Sequence, residues 1–166
     1  RSRVIRNHSW LTQVMSFHIP QKDMPFPYNL PIWRYKYHET SPNGKITAEI
    51  KQTAEVSMGM PGRGVLELST GITLDWCNPS FVWSDDSRYL AVPQFFARFG
   101  LVLRQRLVVI DGTENTLSKS REFAFYFQPE SFQSSKLTAL QEPFHHSPKT
   151  LSWSVPKDFT KFRRIK

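Results

Sequence analysis

Residues 45–58 read Lys45-Ile46-Thr47-Ala48-Glu49-Ile50-Lys51-Gln52-Thr53-Ala54-Glu55-Val56-Ser57-Met58. Ile46, Ala48, Ile50, Ala54, Val56 and Met58 share one parity, and Lys45, Thr47, Glu49, Lys51, Thr53, Glu55 and Ser57 the other; Gln52 alone breaks the apolar set. A period of two puts successive side chains on opposite faces of a β-strand, one dry and one wet. The preceding Ser41-Pro42-Asn43-Gly44 is a turn, because Asn and Gly tolerate the positive φ of a tight hairpin. Upstream of it, Trp33, Tyr35 and Tyr37 alternate with Arg34, Lys36 and His38. The two runs read as a hairpin with its aromatic and aliphatic faces in the core.

Outward from this hairpin the pattern repeats. Gly59 to Gly64 reads as a loop, and Val65–Leu68 and Ile72–Trp76 as strands around Ser69-Thr70-Gly71. Phe81–Trp83 leads through Ser84-Asp85-Asp86-Ser87 into Arg88–Val92. After a looser stretch, Leu101–Ile110 forms a long strand ended by Asp111-Gly112. In Arg121–Gln128, Phe123, Phe125 and Phe127 share one face, which is expected to enter the core. Residues 131–141 fit either a short helix capped by Ser131 and carrying Leu137 and Leu140, or loop and strand, and the helix is preferred. Leu151, Trp153 and Val155 alternate with serines as a last strand. The expected core holds Ile46, Ile50, Val56, Leu74, Phe81, Leu90, Leu107, Val109, Phe123 and Phe125.

The 166 residues suit one domain with its own core, and 12 Pro, 13 Phe, 5 Trp and 5 Tyr favour strands and turns over long helices. The fold class expected is mainly β, a single-domain antiparallel meander or sandwich with at most one or two short helices. Residues 1–31 form an irregular Pro-rich lead-in packing on the domain, with a short helix over about residues 9–17. Residues 32–156 are the β domain and 157–166 a basic C-terminal tail. The longest aliphatic run, Leu107 to Ile110, is far below the roughly 18 residues that span a bilayer, so no membrane insertion is expected. The single Cys77 excludes an internal disulfide and suits a soluble protein of the cytoplasm.

The net charge of +8 is uneven. Three of the 22 basic residues lie in residues 1–10 and five in 157–166, which leaves 14 basic against 13 acidic groups between them. Basicity concentrated at chain ends is characteristic of solvated tails.

The run Asn78-Pro79-Ser80-Phe81-Val82-Trp83-Ser84-Asp85-Asp86-Ser87-Arg88-Tyr89-Leu90-Ala91-Val92, followed by Arg106-Leu107-Val108-Val109-Ile110-Asp111, resembles one blade of a TolB-type or WD40-like β-propeller. A propeller takes typically 4–8 blades of about 40 residues each, and one such unit is visible here. The resemblance implies a sheet with a blade-like meander and a protein-binding scaffold; it transfers no functional residue.

Linear motifs for chemistry are missing. No His pair has metal-ligand spacing, since His145 and His146 are adjacent. Ser154-Val155-Pro156-Lys157 matches SxxK only in spacing, because Pro156 breaks the helix that motif needs. Gly59-Met60-Pro61-Gly62-Arg63-Gly64 lacks the lysine and following helix of a phosphate loop. Asp85 and Asp86 read as turn formers. No catalytic residue, metal ligand or cofactor is assigned, and an enzyme would need a site assembled from distant residues.

One segment has binding character. Arg98, Arg104 and Arg106 accompany Phe95, Phe96 and Phe99, and arginine among aromatics is enriched both at protein hot spots and on single-stranded nucleic-acid platforms. The binding residues expected are Arg98, Phe99, Arg104 and Arg106. The function expected is a non-enzymatic protein-binding domain, such as an inhibitor of the toxin-immunity kind. The alternative is nucleic-acid binding through the basic termini and the Arg98–Arg106 strand.

Overall fold

A computed structural model describes residues 36–56, 62–98, 102–143 and 147–165. The chain forms β1 (His38–Thr40), β2 (Thr47–Glu55), β3 (Gly62–Leu68), β4 (Thr73–Cys77), β5 (Val82–Trp83) and β6 (Tyr89–Arg98). It continues through β7 (Val102–Asp111), β8 (Thr116–Lys119), β9 (Phe127–Gln133), β10 (Lys136–Gln141), β11 (Lys149–Ser154) and β12 (Arg163–Arg164). The fold is mainly β with antiparallel pairing throughout. No helix occurs among the described residues, and none is long and apolar enough to cross a membrane.

The larger sheet runs β1-β2-β3-β4-β6-β7-β8-β12, with β5 also on β6, and the smaller runs β11-β10-β9. β4 and β5 share one edge of β6: Cys77 pairs with Gln94, while Val82 and Trp83 pair with Ala91 and Leu90. Pro93 sits between these two ladders, where its missing amide leaves no bond unmade; its carbonyl accepts the Asn78 amide at 2.8 Å. The stretch expected to be loose is therefore a continuous strand through Arg98. Residues 78–111, the blade-like segment, form β5, β6 and β7 in the middle of this sheet.

Two cores flank the β6–β7 pair. On one face Ala48, Ile50, Leu66, Leu68, Cys77, Phe81 and Trp83 meet Leu90, Val92, Val108 and Ile110. That face curls enough for Ile46 to approach the end of β7. A Cβ built on Gly112 would lie 2.8 Å from Ile46 Cδ1, so a larger residue there would displace the tip of that side chain. On the other face Ala91, Leu107 and Val109 are covered by Phe127, Phe132, Leu137, Ala139 and Trp153 of the smaller sheet and by Val155 just after it. The final segment adds Phe159 to this second core, with Phe162 packed against it and Ile165 packed against the first.

Five expectations are corrected. Residues 131–141 take the strand alternative rather than the preferred helix, lying in the β9–β10 hairpin that turns at Ser134 and Ser135 with φ of 46° and 69°. Phe123 and Phe125 are 40 % and 46 % exposed, and only Phe127 of that trio enters the core. Tyr37, at 45 %, is exposed as well; Trp33 and Tyr35 lie outside the described residues. β2 does not keep one face throughout: Gln52 takes a φ of 52°, the register with β3 shifts between Lys51 and Ala54, and Ala54 emerges exposed. The glycine loop ends early, with Gly62 already in β3. Residues 9–17, Met58, His145 and His146 lie outside the described residues.

Candidate functional site

β7 changes character along one face. Val108 and Ile110 point into the first core, and two and four residues earlier the same face carries Arg106 and Arg104. Across the β6–β7 ladder, Arg106 pairs with Gln94 and Arg104 with Phe96. The core face thus continues into a wet, cationic one without a break in the strands.

The neighbour of β7 also changes there. β8 pairs with it from Asp111 to Val108, and beyond β8 an isolated antiparallel bridge joins Gln105 to Ala124. The Gln105 and Ala124 amides each donate to the other's carbonyl, at 2.7 and 3.0 Å, and Gln105 Oε1 accepts the Phe127 amide at 2.7 Å. Ala124 is buried in the second core. Phe123 and Phe125, one residue to either side, must therefore point the opposite way, onto the arginine face. This is the physical reason they leave the core.

The outcome is an interleaved cluster of rings and guanidinium groups. Arg104 Cζ lies 3.3 Å from the Phe125 ring centroid and Arg106 Cζ 4.5 Å from that of Phe96. Phe96 meets Phe123 edge to face at 6.3 Å. Cation–π contacts of this kind are worth about 0.5–2 kcal/mol each and hold the arginines extended. A groove of about 300 Å³ lined by Phe96, Gln94 and Asp75 leads on to Trp76. The φ of 63° at Trp76 turns its ring outward, 42 % exposed, with Arg63 Cζ 3.9 Å over it. Of the four large hydrophobic side chains exposed among the described residues, three belong to this track.

Beside the cluster is a basic pocket of about 490 Å³ bounded by Arg106, Lys119, Lys161, Arg163 and Arg164. It is assembled from β7, β8 and the chain end. Arg163 pairs with Leu117 and Arg164 with Thr116, and the Thr160 amide donates to the Lys119 carbonyl at 3.1 Å. None of these five cations forms an ion pair with a carboxylate among the described residues. Burial, followed by repulsion from Arg106 and Arg163, holds the Lys119 ammonium below the ordinary lysine range. Arg106 is likewise shifted down by burial, and its Nε is enclosed without a hydrogen-bond partner.

Of the residues expected to bind, Arg104 and Arg106 come together here. Arg98 ends β6, its backbone paired with Val102, and Phe99 lies outside the described residues. Phe95 faces the opposite way, buried edge to face on Tyr126 at 6.4 Å. Sequence reasoning missed Phe123, Phe125, Lys119 and Trp76, and placed Lys161, Arg163 and Arg164 in a solvated tail. Among the described residues no group of three or more His, Cys, Asp or Glu side chains is placed to hold a metal ion. Compared with known proteins, the chain matches no family model, no curated protein and no solved structure.

Proposed function

We propose that the domain binds single-stranded nucleic acid along the face carrying Trp76, Phe96, Phe123, Phe125, Arg104 and Arg106. The observation that supports this best is the alternation of exposed rings with guanidinium groups beside a basic pocket that no carboxylate of the described residues compensates. Base faces stack on rings whatever the sequence, at about 1–3 kcal/mol per base, while the cations follow the phosphates. Binding is expected to weaken steeply with salt as counterions are released.

Fluorescence anisotropy of a labelled single-stranded oligonucleotide, titrated at two salt concentrations, tests the reading. Changing Arg104 and Arg106 together to Ala is expected to cost about 2 kcal/mol or more in affinity, with little loss of stability because neither arginine is in a core. Phe125→Ala is expected to cost about 1–3 kcal/mol. No binding at low salt, or equal binding by parent and variants, would remove nucleic acid from consideration.

A protein partner is the second reading, favoured by the pairing of Trp76 with Arg63, two residue types enriched at hot spots. An inhibitor of the toxin-immunity kind falls within it. It predicts a stoichiometric complex with a protein of acidic surface, weakened by Trp76→Ala and by the double arginine variant alike, in preparations free of nucleic acid.

A further inference from the structure

We propose that the basic pocket between β7, β8 and the chain end is a phosphate site, seating a phosphate monoester dianion against Lys119, Arg106 and Arg163. It deepens the nucleic-acid reading by naming the phosphorylated end of a strand as the part held here, and its first test does not depend on that reading.

Charge and geometry carry the inference. Cations of three different segments converge on one cavity, although like charges repel and the cost falls on the fold unless an anion offsets it. The charges acting on Lys119 most strongly are both positive, Arg106 and Arg163. Two lysines elsewhere on the molecule are held by carboxylates. Lys51 Nζ sits 2.7 Å from Glu67 and 3.3 Å from Glu49, and Lys36 Nζ 2.9 Å from Glu39. Lys119 has no such carboxylate among the described residues, although it is partly buried and faced by two further cations.

The nearby hydroxyls are already engaged. Ser120 Oγ accepts the Leu107 amide and donates to the Glu122 carbonyl, Thr160 Oγ1 accepts the Lys119 amide, and Ser118 Oγ donates to the Thr160 carbonyl. Recognition therefore falls to guanidinium and ammonium groups, which is how phosphate is held by a fork from Arg and a point charge from Lys. A diester brings a single negative charge, whereas a monoester brings about 1.5 to 2 at neutral pH. Three converging cations match the second better.

Two measurements on the full chain test this. The first is calorimetric titration with inorganic pyrophosphate at fixed ionic strength. One site per chain is expected, weakened at least tenfold by Lys119→Met and by Arg163→Gln. Arg163 is exposed on a two-residue edge strand, so its variant should fold even if loss of Lys119 disturbs β8. Absence of pyrophosphate binding, or binding unchanged in a folded Arg163→Gln variant, would overturn the site.

The second compares oligonucleotides with a 5′-phosphate and with a 5′-hydroxyl end. The phosphorylated strand should bind at least tenfold tighter, with the gap lost in either variant. If pyrophosphate binds but neither oligonucleotide does, the phosphate site stands with a free nucleotide or diphosphate as its ligand, and the nucleic-acid reading fails. If both oligonucleotides bind equally and pyrophosphate does not compete, the nucleic-acid reading stands and the phosphate site fails.

Discussion

Arg88 Nε donates to Asp111 Oδ2 at 2.8 Å, tying the residue that precedes β6 to the last residue of β7. Asp111 is 2 % exposed, and its other oxygen accepts the Thr113 and Glu114 amides at 3.0 Å each. Three donors thus meet one enclosed carboxylate, while the Arg88 head stays half in water.

Removing that carboxylate leaves two backbone donors of the β7–β8 turn and a guanidinium unmatched. Asp111→Ala is expected to destabilise the fold by about 3 kcal/mol, lowering the melting temperature by about 6–12 °C. Urea denaturation should register the loss with an unchanged slope. A cost below about 1 kcal/mol would mean that water replaces the carboxylate.

Asp86 makes an acid-sensitive contribution at the β5–β6 turn. Its Oδ1 accepts from Ser84 Oγ at 2.5 Å and from the Arg88 amide at 3.0 Å. The Ser84 hydroxyl is the main reason its carboxyl lies below the ordinary range in the fold, with burial opposing and the Arg88 amide adding to it. A carboxyl depressed in the folded state stabilises above its unfolded pKa, near 3.9, and loses that contribution as pH falls through the folded value. Asp86→Asn should therefore be less stable than the parent at neutral pH, by about 0.5–1 kcal/mol. Thermal melts at descending pH should show the gap closing below about pH 4; a gap constant with pH would assign it to geometry instead.

Cys77 should be inert until the domain opens. Its side chain is fully enclosed in the first core and burial pushes the thiol far above its ordinary range, so almost no thiolate exists to react. An aromatic disulfide reagent should leave the native protein unmodified and label one thiol per chain in denaturant. Rapid labelling under native conditions would place Cys77 at a site that opens locally.

Ser134 and Ser135 both take positive φ in the β9–β10 turn. Asn-Gly suits that turn far better, and the bonds made there, from the Ser134 amide to Asp85 and from the Val155 amide to the Ser135 carbonyl, use backbone groups. Replacing the pair with Asn-Gly should raise stability by about 1 kcal/mol, or roughly 2–4 °C in melting temperature. A lower melting temperature would show that the serine side chains support the turn.

The same two serines explain why this hairpin was illegible. They carry none of the Gly or Asn signal that marked Asn43-Gly44, and the apolar spacing of Leu137 and Leu140 fits a helical turn as well as a strand. β2 and the β5–β6 hairpin were legible because alternation and turn chemistry agree within a few residues. Alternation also grouped Phe123 with Phe125, but it cannot tell the inside from the outside. The side was decided by the pairing of Ala124 with Gln105, nineteen positions away in the chain. Of the site, Arg104 and Arg106 were visible because they sit among aromatics in one strand. Lys119 and Arg163 meet only through the pairing of β8 with β12, which leaves no linear trace.

On β7, the boundary between Arg106 and Val108 falls within a single strand held on both sides by backbone bonds. Ladder pairing is indifferent to side-chain identity, so residues on the outer side of that boundary can be exchanged without dismantling the packed half. Such a scaffold is evolvable: a lineage could change the chemistry of this face through a handful of positions around 96, 104, 106, 123 and 125 while inheriting its core intact. Replacing the two arginines with aliphatic residues would move the boundary outward, trading the cationic face for a more robust barrier to unfolding.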